Sequence, residues 1–99
     1  MTTKRHAPCE IDVAEQIQQD IMDCDDEACN EIGADLEALQ NDPLPADRQK
    51  TKTGFFYHQL VCGYFVAWEI RGDLMKLVET GDCTGTLVKI LGVGRETPK

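Results

Sequence analysis

Cysteine can form disulfides, remain a free thiol or bind a metal ion. The chain contains five, at Cys9, Cys24, Cys29, Cys62 and Cys83. An odd number without a repeated C-x-x-C spacing is not typical of a disulfide framework, so the sequence predicts free thiols. A zinc site is the alternative, with Cys9, Cys24, Cys29 and His6 as its ligands. Cys24 and Cys29 would lie on different faces of a continuous helix, so the spacing disfavours zinc. No metal or other cofactor is predicted.

The acidic run Asp23–Glu27 has the composition of a calcium-binding loop. If Asp23 is the first ligand, the turn position that requires glycine is Ala28, and the position of the bidentate glutamate is Ala34. The EF-hand pattern therefore fails where its chemistry is most demanding. Carboxylates favour the positive end of a helix dipole, so the run predicts the start of a helix.

Charge is distributed unevenly along the 99 residues, whose formal net charge is −8. Residues 1–50 carry thirteen Asp/Glu against four Lys/Arg, a net of −9, and residues 51–99 carry five against six, a net of +1. The one cluster of positive charge is Arg48, Lys50 and Lys52. Phosphate backbones attract basic surfaces, so nucleic-acid binding would need a local patch against an unfavourable field. A basic protein partner is easier to accommodate.

Length and hydropathy predict a single domain over residues 1–99, with disorder at residues 1–7 and 96–99. The basic start of the chain is not followed by the apolar run that a secretory signal needs. No stretch approaches the length that spans a membrane. We therefore expect a cytoplasmic protein without a membrane partner.

The stretch Gly54–Ile70 holds all three Phe, both Tyr and the only Trp. Two aromatic and β-branched runs, 55–61 and 64–70, are separated by Cys62-Gly63, which predicts a β-hairpin with Gly63 at the positive φ of a tight turn. Side chains alternate across a strand, so one face of the second run carries Tyr64, Val66, Trp68 and Ile70. A domain this small needs its aromatic residues for burial, so we expect Phe55, Tyr64 and Trp68 to be core residues.

Two helices are predicted ahead of the hairpin. The first follows Asp12 as N-cap, with Glu15 at the capping-box position, and residues 7–11 form a short edge strand before it. The second runs from about Asp26 to Gln40 and is stopped by the prolines of Asn41–Pro45. Its apolar face carries Cys29, Ile32, Leu36 and Leu39, and Glu31, Asp35 and Glu37 are expected to point outward. An extended connector, residues 46–53, follows.

Residues after the hairpin give one ambiguous and one clear element. Asp73 as N-cap and Gly81 as C-cap suggest a short helix, whereas Arg71-Gly72-Asp73 as a turn suggests a strand over Met75–Thr80; the strand is slightly favoured. Thr86–Gly94 is apolar on both faces, which is typical of a central strand.

Three stretches in this order resemble the RelE/ParE toxin superfamily, and together they extend the resemblance over nearly the whole chain. They are Leu36–Pro45 (L-x-x-L-x-x-D-P), Tyr57–Trp68 (Y-x-x-x-x-x-G-Y-x-V-x-W) and Ile90–Glu96 (I-x-x-V-G-R-E). The resemblance implies an α+β fold. A short N-terminal strand and two helices would pack on one face of an antiparallel sheet of 3–5 strands, and the opposite face would carry the functional groups.

RelE-type members of the superfamily cut messenger RNA on the ribosome with Lys and Arg of the exposed sheet face, often with a C-terminal Tyr or His. Carried over by position, Arg95 falls on the last-strand arginine and Lys52 near the connector lysines. The second-strand lysine positions fall on Tyr57 to Gln59. RNA cleavage needs a base, cations on the phosphate and an acid, so the candidate set is His58 as base or acid, Arg95 and Lys52 as phosphate clamps, and Tyr57. Phe65 stands where the family has a basic residue after the hairpin.

Three functions follow from this resemblance. The favoured one is a toxin-superfamily domain of a toxin–antitoxin or mobile-element system that binds a partner such as an antitoxin peptide or protein, with catalysis weakened or lost. The second is an active ribosome-dependent mRNA endonuclease, whose partners are the ribosome and mRNA. The third is a non-toxic interaction or homodimerisation domain that uses an uncovered strand edge.

Overall fold

The computed structural model describes residues 9–83 and 85–95, so the disorder predicted for residues 1–7 and 96–99 lies outside the described residues. In chain order, the helices and strands are β1 (Glu10–Val13), α1 (Glu15–Met22), α2 (Asp26–Asn41), β2 (Gln49–Lys50), β3 (Phe56–Gln59), β4 (Phe65–Arg71), α3 (Leu74–Thr80) and β5 (Leu87–Gly94).

The five strands form one sheet in the order β1-β5-β4-β3-β2. Neighbouring strands are antiparallel except β1, which runs parallel to β5 and makes the sheet mixed. Ile17 of α1 and Ile32 and Leu39 of α2 share one buried cluster with residues of β4 and β5. The helices α1 and α2 therefore cover one face of the sheet, and the predicted α+β architecture is confirmed.

The strands β3 and β4 form the predicted hairpin, in register from Phe56 opposite Trp68 to Gln59 opposite Phe65. The Leu60 amide donates to the Tyr64 carbonyl over 2.7 Å, and Gly63 has a φ of 93°. The strand β3 ends at Gln59, two residues before the predicted end at residue 61, because the chain already turns at Leu60. Val61 consequently sits in the turn, 99% exposed.

Trp68 is at the centre of the core and has no exposed surface. Val66 is also fully buried, and Tyr64 and Ile70 pack partly buried against the same cluster, as the alternation along β4 predicts. Phe55 is half-buried. The register places Phe65, Ala67 and Glu69 on the opposite side of the sheet, here called the open face.

The N-terminal elements differ from the prediction in their boundaries. The edge strand covers Glu10–Val13 instead of 7–11, and α1 starts at Glu15 with Ala14 at the N-cap and no side-chain cap. Asp12 lies within β1 opposite Lys89, so its assignment as N-cap was wrong. Pairing with β5 draws these residues into the sheet. The second helix is confirmed, and Asp25 caps it by accepting from the Ala28 amide over 3.0 Å.

The ambiguous stretch after the hairpin is the helix α3, so the slight preference for a strand was wrong. The Asp73 side chain accepts from the Lys76 amide over 3.0 Å, and Gly81 ends the helix with a φ of 70°. Good caps at both ends outweigh the β-propensity of a seven-residue segment. The last strand, β5, lies between β1 and β4, an interior position as predicted.

Cys9 and Cys83 form a disulfide, with their Cα atoms 4.8 Å apart. The prediction of free thiols was therefore wrong for this pair and holds for Cys24, Cys29 and Cys62. The parallel pairing of β1 with β5 brings the two cysteines together across 74 residues of sequence, which no local spacing reveals. Because its sulfur is bonded to Cys83, Cys9 is not free to serve as the zinc ligand considered above.

Candidate functional site

His58 is on β3 opposite Val66, so its side chain points to the side of the sheet that the helices cover. The residue is 6% exposed. Its Nε2 lies 2.7 Å from Oδ2 of Asp35 on α2, and its Nδ1 lies 3.1 Å from Oδ1 of Asp47 in the connector. Ionised carboxylates only accept hydrogen bonds, so both contacts are satisfied when both ring nitrogens carry a proton. The hydrogen bond to Asp35 raises the pKa of His58 most, against the lowering by burial, and Asp47 raises it further.

Trp68 completes this cluster from β4. Its ring centroid is 5.0 Å from that of His58 in an edge-to-face arrangement, and its Nε1 donates to the Pro43 carbonyl over 3.0 Å. We call Asp35, Asp47, His58 and Trp68 the His58 cluster. It joins α2, the connector, β3 and β4 in one set of polar and aromatic contacts, in which Asp47 is the exposed member.

Arg95 directly follows β5 and stacks on an aromatic ring, with its guanidinium carbon 5.0 Å from the Tyr64 ring centroid. The Tyr64 side chain raises the pKa of Arg95, and the charge of Asp25 adds to this. Gly94 faces Phe65 on the open face, and the next residue therefore turns toward the helices. Arg95 is exposed, and its charge interacts with that of Asp25, the N-cap of α2.

Lys52 and Tyr57 lie in two further places. Lys52 is exposed in the turn between β2 and β3, which the Gly54 amide closes by donating to the Thr51 carbonyl over 3.1 Å. Tyr57 pairs with Ala67 and so belongs to the open face. In the described part of the chain, no hydrogen bond or ion pair joins any two of the four candidates His58, Arg95, Lys52 and Tyr57. Because His58 and Tyr57 are consecutive on β3, their side chains point to opposite faces of the sheet, and the four candidates do not share one face.

The open face itself is apolar at one end and mixed in charge at the other. Tyr57 and Phe65 flank a floor of small residues, which are the buried Ala67 and the half-buried Gly92 and Gly94. The Phe65 ring lies so close to β5 that a Cβ on Gly94 would be 3.2 Å from it. The register adds three acidic residues, Glu10, Asp12 and Glu69, against two basic residues, Arg71 and Lys89. Arg71 pairs with Glu69 over 3.0 Å, so this surface offers little free positive charge.

Sequence reasoning missed both carboxylates of the His58 cluster. Asp35 was expected to point outward, but its side chain is only 11% exposed, so this expectation was wrong. The signal was in the helix periodicity, because Asp35 lies three residues after Ile32 and four before Leu39, both of which are buried. Asp47 had no such signal, since a connector has no periodicity.

The described residues contain no group of three or more His, Cys, Asp or Glu side chains arranged to hold a metal ion. No helix in the same part of the chain is long and apolar enough to cross a bilayer.

Among solved structures, this chain is similar to a double arginine-to-alanine mutant of the Escherichia coli toxin RelE in the free state. The TM-score is 0.63, and the match covers 89% of this chain and 83% of that chain. The fold is RelE-like. The superposed residues are 13% identical, so the similarity establishes the architecture expected from the sequence motifs and leaves the activity open. No protein-family model matches the sequence, and no curated protein matches it.

Proposed function

We propose that this RelE-like chain is a toxin-superfamily domain of a toxin–antitoxin or mobile-element system that acts in the cytoplasm by binding a partner protein, with RNA cleavage weakened or lost. The observation that carries this proposal is the state of His58. Among the candidate residues that the RelE/ParE resemblance assigns, His58 is the one proposed as a base. Its ring is enclosed by α2 and the connector.

Deprotonation of a 2′-hydroxyl needs a base with a free lone pair within hydrogen-bond reach of the RNA. Both ring nitrogens of His58 are engaged by carboxylates, and the ring is almost inaccessible to solvent. A doubly protonated imidazole has no lone pair to offer. His58 is therefore better suited to holding the fold together than to proton transfer on a substrate.

The electrostatics also favour a protein partner over RNA. The net charge is −8, and the cations of the open face are outnumbered by its carboxylates. RNA binding gains most of its affinity from cations that neutralise phosphates, and this surface has few of them. Tyr57 and Phe65 beside a floor of small residues suit an apolar side chain of a protein segment instead. A partner with a basic region would also be attracted to the acidic helices.

Co-expression with the protein encoded by the neighbouring open reading frame tests the proposal. We expect that protein to copurify with this chain and expression of this chain alone to slow growth. Phe65→Ser should weaken the complex by about tenfold or more if the open face is used, since anchors of this kind carry 1–3 kcal/mol or more. Val61→Ser, in the exposed hairpin turn, is the matched control. Harmless expression together with no copurifying partner would remove the proposal.

The second candidate function, an active ribosome-dependent mRNA endonuclease, is favoured by one observation. Arg95 is solvated and charged at the family's last-strand position, where it could contact a phosphate. In this case cleavage would depend on Arg95 and Lys52 and would proceed without His58 as base.

The third candidate is a non-toxic domain that forms homodimers through a strand edge. The edge strand β2 is only two residues long and leaves its outer side unpaired within the described sheet. Sedimentation at increasing concentration separates this function from the first, because a homodimer would assemble without any partner.

A further inference from the structure

The connector reaches the sheet through few contacts, of which two are charged: the Arg48 guanidinium lies over the Phe56 ring, and Asp47 forms an ion pair with His58. Residues 46–53 contribute the two-residue strand β2, and the Thr51 amide donates to the Phe55 carbonyl over 2.9 Å. The only ion pair between this connector and the rest of the described chain is Asp47 with His58. We propose that protonated His58 is a pH-sensitive clamp, and that its deprotonation releases Asp47 with the connector and uncovers the edge of β3.

The two arms of the clamp are unequal. The Asp35 carboxylate is 11% exposed and lies 2.7 Å from Nε2, whereas the Asp47 carboxylate is 67% exposed and lies 3.1 Å from Nδ1. Neutral imidazole keeps one N–H. A buried carboxylate without a donor costs more free energy than an exposed one that water can solvate, so the remaining proton stays on Nε2 toward Asp35. The Nδ1 lone pair then faces the Asp47 carboxylate, and this arm opens.

No neighbouring cation replaces the lost charge. The charged groups that face His58 are Asp35 from α2 and Asp47 from the connector, and β4 presents the uncharged Trp68. Arg48 follows Asp47 but donates to the Leu44 and Pro45 carbonyls and lies over the Phe56 ring. Loss of the His58 proton therefore leaves Asp47 with no positive partner among these groups.

Release would expose β3 along the side that β2 now covers. The pairs Gln49 with Tyr57 and Lys50 with Phe56 would separate, and their backbone groups on β3 would become accessible. An unpaired strand edge is a template for another strand, so the clamp would control whether this edge is available for pairing. The Trp68 hydrogen bond to Pro43, just before the connector, does not involve His58 nitrogens and would limit the movement to the residues beyond it.

The first test is the protonation state of His58 itself. Nuclear magnetic resonance of its side-chain nitrogens should show a titration midpoint above 6.5, the ordinary value for histidine, with both nitrogens protonated below that midpoint. Emission from Trp68, the only tryptophan, should change with the same midpoint because the two rings are in contact. A midpoint at or below the ordinary value would overturn the proposal.

The second test measures connector attachment by hydrogen exchange at the Thr51 amide. In the wild type its protection factor should fall by roughly tenfold as pH rises through the His58 midpoint, while protection in β4 is kept. Asp47→Ala should show the lower protection already below the wild-type midpoint, with no further dependence on the His58 titration. Glu37→Ala, which removes an exposed carboxylate of α2 that does not touch His58, is the matched control and should behave as the wild type. Unchanged Thr51 protection in Asp47→Ala would show that the connector is held by other contacts and would refute the clamp.

Discussion

Reduction of the Cys9–Cys83 disulfide should destabilise the protein substantially. The bond joins residues 74 apart in sequence, and both cysteines are buried in the core cluster. The chain-entropy relation for a loop of this length gives about 15 cal/mol/K of lost unfolded-state entropy, or roughly 4.5 kcal/mol at 25 °C. For a domain of this size, with a total stability of about 5–15 kcal/mol, such a loss removes a large share of the free energy of unfolding.

Urea denaturation with and without a dithiol reductant, followed by circular dichroism, measures this difference. The double variant Cys9→Ala/Cys83→Ala is the control for the reductant, since it should unfold at the same urea concentration in both buffers. Thiol counting on the unfolded, unreduced protein should find three free cysteines, which are Cys24, Cys29 and Cys62. Five free thiols, or oxidised and reduced proteins within about 1 kcal/mol of each other, would refute the reasoning.

Four further predictions concern the core, two glycine positions and pH. Trp68→Ala should lower the free energy of unfolding by about 3–5 kcal/mol in urea titrations, because it removes a fully buried ring and leaves the Pro43 carbonyl without its donor; an unchanged midpoint would contradict this. Gly63→Ala should cost about 1–2 kcal/mol, since its φ is 93° while a Cβ would meet no atom, whereas Gly33→Ala in α2 should stabilise by about 0.5–1 kcal/mol. The folded-state pKa of His58 is raised above 6.5, so its contribution to stability is complete below that pH and is lost as pH rises through the folded pKa. In His58→Gln, the free energy of unfolding should fall less over this pH range than in the wild type. An equal fall in both proteins would assign it to other groups.

The sequence was most informative where local chemistry decides the structure. The aromatic runs and Gly63 predict the hairpin because strand propensity and turn geometry act over a few residues. The second helix follows from its N-terminal carboxylates, its apolar spacing and the prolines that end it. It was predicted from about Asp26 to Gln40 and covers Asp26–Asn41.

Features that depend on distant contacts could not be predicted in the same way. Asp12 has the pattern of an N-cap, but pairing with β5 makes it a strand residue. The disulfide depends on the same pairing. The position of His58 is an intermediate case. Alternation along β3 predicts that His58 and Tyr57 point to opposite faces of the sheet. Which of these faces the helices cover depends on the packing of the whole chain.

We propose that this RelE-like chain binds a protein partner instead of cutting messenger RNA. The most direct test of this proposal adds the purified protein to translating ribosomes with a reporter transcript, using Escherichia coli RelE as the positive control and an Arg95→Ala variant beside the wild type. The account predicts intact transcripts with both versions of this protein, at concentrations where the control cleaves. Cleavage by the wild type that is lost in Arg95→Ala would contradict it.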